Sequence, residues 1–303
     1  MTPPGPPGTP SRPAAVVAAA VAVLAVALLG AGIAQTGTGE LRIPADGATS
    51  VLRLLVLTGL ALHVGELAGR RIAGEGPLPR GLAVPAALLA AAASAALLLL
   101  FSAVSGLSLT VVYGLREGRL LLVTANAFAL AAFCAASRRP GLAVLPLAVA
   151  VGAEALRAHP ETYQQALGTG LTVVHLTAAS LWTGTLLHVL RTLRLRGGGR
   201  DVLVRYARTA AWVYAALAVT GTASTLRRLP PDAVLTTAYG RLLLVKLVLF
   251  GGASLLALAA RGRMRSGGNA PAPARVEAAV LGAIVVVSAL LTVVPDPRGL
   301  LLP

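Results

Sequence analysis

Residues 171–190 read LTVVHLTAASLWTGTLLHVL, twenty positions without a formal charge. At 1.5 Å per residue, a helix of that length covers the ~30 Å hydrocarbon core of a bilayer. Similar apolar runs recur at 14–33, 51–68, 82–104, 119–136, 142–156, 209–226, 239–260 and 276–294. Hydrocarbon offers no partner for backbone N–H and C=O groups, so each run must close its own hydrogen bonds as a helix. The expected fold is all-α: a polytopic transmembrane helical bundle of about nine spans, eight at the least.

The segments between the runs are short. Residues 1–13 are rich in Pro and Gly without apolar periodicity, which predicts a disordered tail. Residues 14–33, preceded by Arg12, have the pattern of a signal anchor that stays attached. Residues 105–118 are too short and too polar to cross, yet apolar enough to lie in the membrane interface. The chain divides into the tail 1–13, a first group of membrane helices over 14–140, a second over 141–294, and a short tail 295–303.

A formal net charge of +15 in 303 residues raises the question of nucleic acid, but every basic residue except Lys246 is an arginine placed between apolar runs. Topology accounts for them better. With the N-terminus inside, the inner loops hold Arg12, the trio Arg70, Arg71 and Arg80, the pair Arg138 and Arg139, six arginines between 191 and 208, and Arg261, Arg263, Arg265 and Arg275. That is the larger share, and it predicts a cytoplasmic N-terminus and an external C-terminus. The single cysteine, Cys134, can form no internal disulfide or thiolate pair, and two methionines, Met1 and Met264, make no thioether relay for Cu(I).

The chemistry-bearing residues stand out against this background. Ionisable groups inside a membrane are costly and usually face a bundle interior or a polar cavity. His175 and Trp182 lie seven positions apart, on one face of their span, with Gly168 and Thr172 extending the stripe. Gly168, Gly170, Ala178, Ala179, Ser180 and Gly184 offer small surfaces for close helix packing. His63 and Glu66 are three apart in the second span and therefore neighbours. With the expected orientation, Glu154, His159, Tyr163 and His175 gather at the external surface, while His63, Glu66 and then His188 lie progressively deeper. Imidazole nitrogen with carboxylate oxygen suits Cu(II) or Zn(II). Each residue also has a plainer reading. A membrane histidine can be a helix-to-helix hydrogen bond, His159 before Pro160 a turn residue, and His188 beside Arg191 a solvated interfacial one. Glu66 and Glu154 can be mates for Arg70 or Lys246, since a buried charge needs a partner.

The external loop histidine at His159, VVHLTAASLWTG at 173–184, AYGRLLLVKL at 238–247 and RVEAAVLGAIVV at 275–286 together make residues 154–294 resemble the copper resistance D (CopD) family. The resemblance implies a multi-pass bacterial inner-membrane protein that handles copper. It also implies movement from the periplasmic side towards the cytoplasm, often with a small copper-binding partner of the CopC type. Carried over by position, His159 and His175 match histidines flanking the external end of the span. Trp182, Gly184, Tyr239, Gly240, Arg241 and Lys246 match motif positions. The expected metal set is His175, His159, Glu154, His63 and Glu66, with copper as cargo. No phosphate-binding G-x4-G-K-S/T loop is present to drive transport with ATP, and no nucleophile–base motif points to an enzyme. Two other functions stay open: a b-type haem protein with His63 and His175 as axial ligands, and an accessory scaffold whose polar groups only pair with one another.

Overall fold

The computed structural model describes residues 46–158, 165–266, 271–294 and 297. Within them the chain is helical, with no strand. The helices are α1 (Asp46–Ala73), α2 (Ala83–Ser105), α3 (Leu109–Gly114), α4 (Arg116–Ala136), α5 (Val144–Arg157), α6 (Gln165–Arg196), α7 (Arg200–Arg228), α8 (Ala238–Arg265) and α9 (Pro271–Leu291). Among the described residues, eight helices are long and apolar enough to cross a membrane, α5 being counted with the single turn of 3-10 helix at Pro140–Ala143 that leads into it. The six-residue α3 is the segment expected to lie in the interface. The expected first span, 14–33, falls outside the described residues, as does the tail 1–13.

Helices α1 and α6 form the centre, and theirs is the most extensive helix pairing. They run parallel, because Gly65 of α1 lies against Gly184 of α6 while Gly69, one turn on, lies against the His188 ring. Gly184 also meets the backbone carbonyl of Ala61. Membrane helices gain nothing by hiding apolar surface from apolar lipid, so attraction depends on how closely their backbones approach, and glycine allows the closest approach. A core of Val56, Leu60, Leu97, Leu121, Phe128 and Leu147 joins α1 to α2, α4 and α5. A second core of Trp182, Leu186, Tyr206, Val213, Ala253 and Leu281 joins α6 to α7, α8 and α9.

The focal helix is much longer than its apolar run. It spans 32 residues, about 48 Å at the usual rise, and only residues 197–199 separate it from the 29-residue α7. The basic segment 191–208, expected as a loop, is therefore helical at both ends. Its turn is set by Gly197 and Gly199, whose φ values of 68° and 143° are ones glycine adopts readily. Its arginines do more than mark a side of the membrane. Arg205 Nε donates to the Ile72 carbonyl at 2.7 Å, and Arg205 Nη2 and Arg196 Nη1 both donate to the Ala73 carbonyl, at 3.1 and 3.0 Å. Those carbonyls end α1 with no intrahelical partner, and two guanidinium groups satisfy them at the negative end of the helix dipole.

At the start of α2, Leu82 has no side-chain cap of its own. The cap comes from α1. Glu66 Oε2 accepts the backbone N–H groups of Leu82 and Ala83, the latter at 2.7 Å, while Oε1 pairs with Arg70. The carboxylate is 3 % exposed and its hydrogen bonds tie the loop back to the helix it left.

Candidate functional site

His175 lies ten residues into α6, partly buried, with Nδ1 3.0 Å from Thr220 Oγ1 of α7. Gly221 faces the ring, and a Cβ there would make an ordinary contact with His175 Cε1 at 3.6 Å. The tautomer follows from counting protons. Thr220 already donates its one hydroxyl hydrogen to the Ala216 carbonyl at 2.7 Å, so Oγ1 must accept from His175 Nδ1–H. In the neutral ring that leaves the lone pair on Nε2, the atom a metal would use. Lys246 of α8 lies within electrostatic range of this ring and forms no ion pair among the described residues, so the expected counter-charge for a carboxylate is not found.

His63 is fully buried, and neither ring nitrogen has a hydrogen-bond partner among the described residues. His188 is 3 % exposed and likewise unpartnered at both nitrogens. It is therefore not the solvated interfacial residue that its neighbour Arg191 suggested. Gly69 admits its ring into the α1–α6 seam, and the seam's own packing seals it. Glu66 lies within electrostatic range of both rings. The parallel register gives the levels. His63 stands level with Trp182, two residues before the Gly65–Gly184 contact on each helix. His175 is seven residues nearer one end, about 10 Å, and His188 six residues nearer the other, about 9 Å. The order His175, His63, His188 along the axis is the expected one.

The two carboxylates of the expected metal set are engaged elsewhere. Glu66 caps α2 and pairs with Arg70. Glu154 Oε2 accepts from Arg157 Nη2 at 2.6 Å, while its Oε1 has no partner among the described residues; Arg157 Nη1 reaches Glu117 of α4 at 3.0 Å, making a part-buried network into which Arg53 of α1 also enters electrostatically. Arg157 was not foreseen as a partner. The pairing spans three residues of one helix and forty in sequence to Glu117. His159 and Tyr163 fall outside the described residues. Among the described residues, no three His, Cys, Asp or Glu side chains come together in a way that could hold a metal ion.

The motif residues have structural work. Gly184 makes the α1–α6 contact. At the start of α8, Thr237 Oγ1 accepts from Gly240 N at 3.1 Å, and a Cβ on Gly240 would lie 2.6 Å from the Ala233 carbonyl. Arg241 Nε donates to the Leu235 carbonyl at 2.8 Å, and Tyr239 is buried against Leu229 and Ala233, so Tyr-Gly-Arg locks a turn. Trp182 shows what the sequence reading missed. Its Nε1 donates to Glu277 Oε1 of α9 at 2.9 Å. Tyr214 and Phe250, stacked with ring centroids 5.1 Å apart, both meet the Trp182 ring edge-on, at 5.9 and 5.8 Å. Glu277 belongs to the RVEAAVLGAIVV stretch at 275–286 but is not among the expected site residues. The signal available was its charge inside an apolar run; the partner lies 95 residues away.

No curated protein and no solved structure matches the chain. Residues 200–294, which take in the whole of α7, α8 and α9, match the family model for Copper resistance protein D (CopD). The helix carrying His175, Trp182 and His188 precedes the matched segment. Over the last three spans of its described residues, then, the chain is similar to the Copper resistance protein D family.

Proposed function

We propose that this multi-pass protein carries copper from the external side of a bacterial inner membrane towards the cytoplasm, by way of its imidazoles. His159 and His175 receive the ion, and His63 passes it inward with His188 beyond. The observation that carries this reading is the pair of sealed histidines, His63 and His188, whose four ring nitrogens have no partner among the described residues. Leaving a buried polar group unpaired costs about 1–3 kcal/mol, so four such atoms in one helix pair call for a guest that uses them. Neutral imidazole is a ligand for both copper oxidation states, and the near absence of methionine leaves it the main one on offer.

In this reading Glu154 and Glu66 are supports rather than ligands. Arg157 holds the first and the start of α2 holds the second. The N-terminus is cytoplasmic, following the arginine distribution. A CopC-type protein is the external donor, and residues 141–294 form the copper-handling unit. No enzymatic step is assigned.

Cells with the protein, without it, and with His175→Ala provide the test through their copper content. Accumulation by the variant should fall at least about tenfold towards the level without the protein, since losing support to a metal ligand already costs ten- to a hundredfold in affinity. Equal copper in all three removes the transport reading.

A further inference from the structure

Glu277 is 2 % exposed and meets Trp182, which stands near the middle of the 32-residue α6 and so deep in the bundle. An ionised carboxylate there needs a counter-charge, because an isolated charge in a medium of low polarity is among the most expensive things a protein can bury. None is present. Among the described residues Glu277 forms no ion pair, whether with His63 of α1, His175 or His188 of α6, Lys246 of α8, or its own exposed neighbour Arg275. Glu66 of α1 is already taken by Arg70. Tyr206 of α7 lies close to both Glu277 and Trp182, and its buried hydroxyl makes no hydrogen bond among the described residues.

The composition of the surroundings selects the occupant. A hard cation such as Na⁺ or Mg²⁺ needs several oxygen acceptors around it. Here the neighbours offer hydrogens: indole N–H is a donor only, and a phenol O–H turns its hydrogen towards a carboxylate. Glu277 belongs to no group of three or more carboxylates, imidazoles or thiols able to hold a metal ion among the described residues. Two donors around one carboxyl group can hold it in both forms. With the proton on Oε2, Oε1 still accepts from Trp182; without it, the indole and the Tyr206 hydroxyl stabilise the anion.

We propose that Glu277, held by Trp182 beside the free Tyr206 hydroxyl, is an intramembrane proton-binding site whose loading and unloading couples copper movement to the proton gradient. The coupling rests on the copper reading above, while the proton site stands on the geometry alone. Glu277 releases its proton to water on one side and takes one up from the other, and no bond to copper is formed or broken at this carboxyl.

Infrared spectroscopy on the purified full chain in lipid tests the site directly. The wild type should show the carbonyl stretch of a protonated carboxylic acid, titrating with pH, and Glu277→Gln should lack that band. Glutamine keeps the oxygen that Trp182 binds, so the variant retains the fold, which its unchanged thermal unfolding verifies. No such band in the wild type, or one unaltered by Glu277→Gln, overturns the proposal. Proteoliposomes loaded with a pH-sensitive dye then test the coupling. Copper entry should be accompanied by proton movement in the wild type and not in Glu277→Gln. Copper entry into wild-type vesicles that neither moves protons nor responds to an imposed pH gradient overturns the coupling. Absence of copper flux in both proteins with the infrared band intact counts against the copper reading and supports Glu277 as a proton site independent of it.

Discussion

Gly184→Leu is expected to keep the bundle from assembling. A side chain at this position meets the Ala61 carbonyl and, at 2.7 Å from its Cβ, the Cα of Gly65. These are backbone atoms, so no change of rotamer relieves the clash and the helices must separate. Overpacking a core ordinarily costs about 1–3 kcal/mol and more where backbone has to move. The seam is also the place where the two apolar cores meet, since α1 contributes to both and α6 packs on both. Gly170 of the same helix supplies the contrast, having nothing within 4 Å of where a Cβ would stand. Thermal unfolding in detergent, followed by loss of the monodisperse species, should show Gly184→Leu unfolded or nearly so and Gly170→Leu close to wild type. Two variants melting together would mean that the seam does not organise the fold.

The second large loss is expected from Glu66→Ala. Removing the carboxylate strands the N–H groups of Leu82 and Ala83 and leaves Arg70 without its partner. Each buried donor left unpaired costs about 1–3 kcal/mol, so the sum is on the order of 3–5 kcal/mol. Glu66→Gln retains an acceptor oxygen and should recover part of it. The readout that separates this role from metal binding is protease cleavage in the connection at 74–82: capping predicts faster cleavage in Glu66→Ala with or without copper. Wild-type cleavage and stability in that variant would return Glu66 to the list of ligand candidates.

The spans were legible because an apolar run of bilayer length has a single solution for its backbone. Their ends were less so. Residues 191–196 and 200–208 read as a basic loop on hydropathy, yet arginine and leucine are good helix formers and the first break is Gly197. Hydropathy marks where lipid ends, not where a helix does. The histidines of α1 and α6 were found through the cost of placing them in hydrocarbon, which depends on local sequence alone. Their partners were not: Glu66 is claimed by backbone sixteen and seventeen positions on, Thr220 reaches His175 across 45, and Trp182 reaches Glu277 across 95. His188 was misjudged for the same reason, because the glycine that buries it belongs to another helix.

The placement of the aromatic side chains also gives the protein two optically distinct indoles. Trp212 is 80 % exposed on a spanning helix, whereas Trp182 is 2 % exposed and enclosed by Tyr214 and Phe250. Lipids carrying a heavy-atom quencher on their acyl chains would darken the first and spare the second. The remaining emission would come from one ring whose N–H touches Glu277, so its colour records the electrical state of that carboxyl from within the membrane, with no label attached.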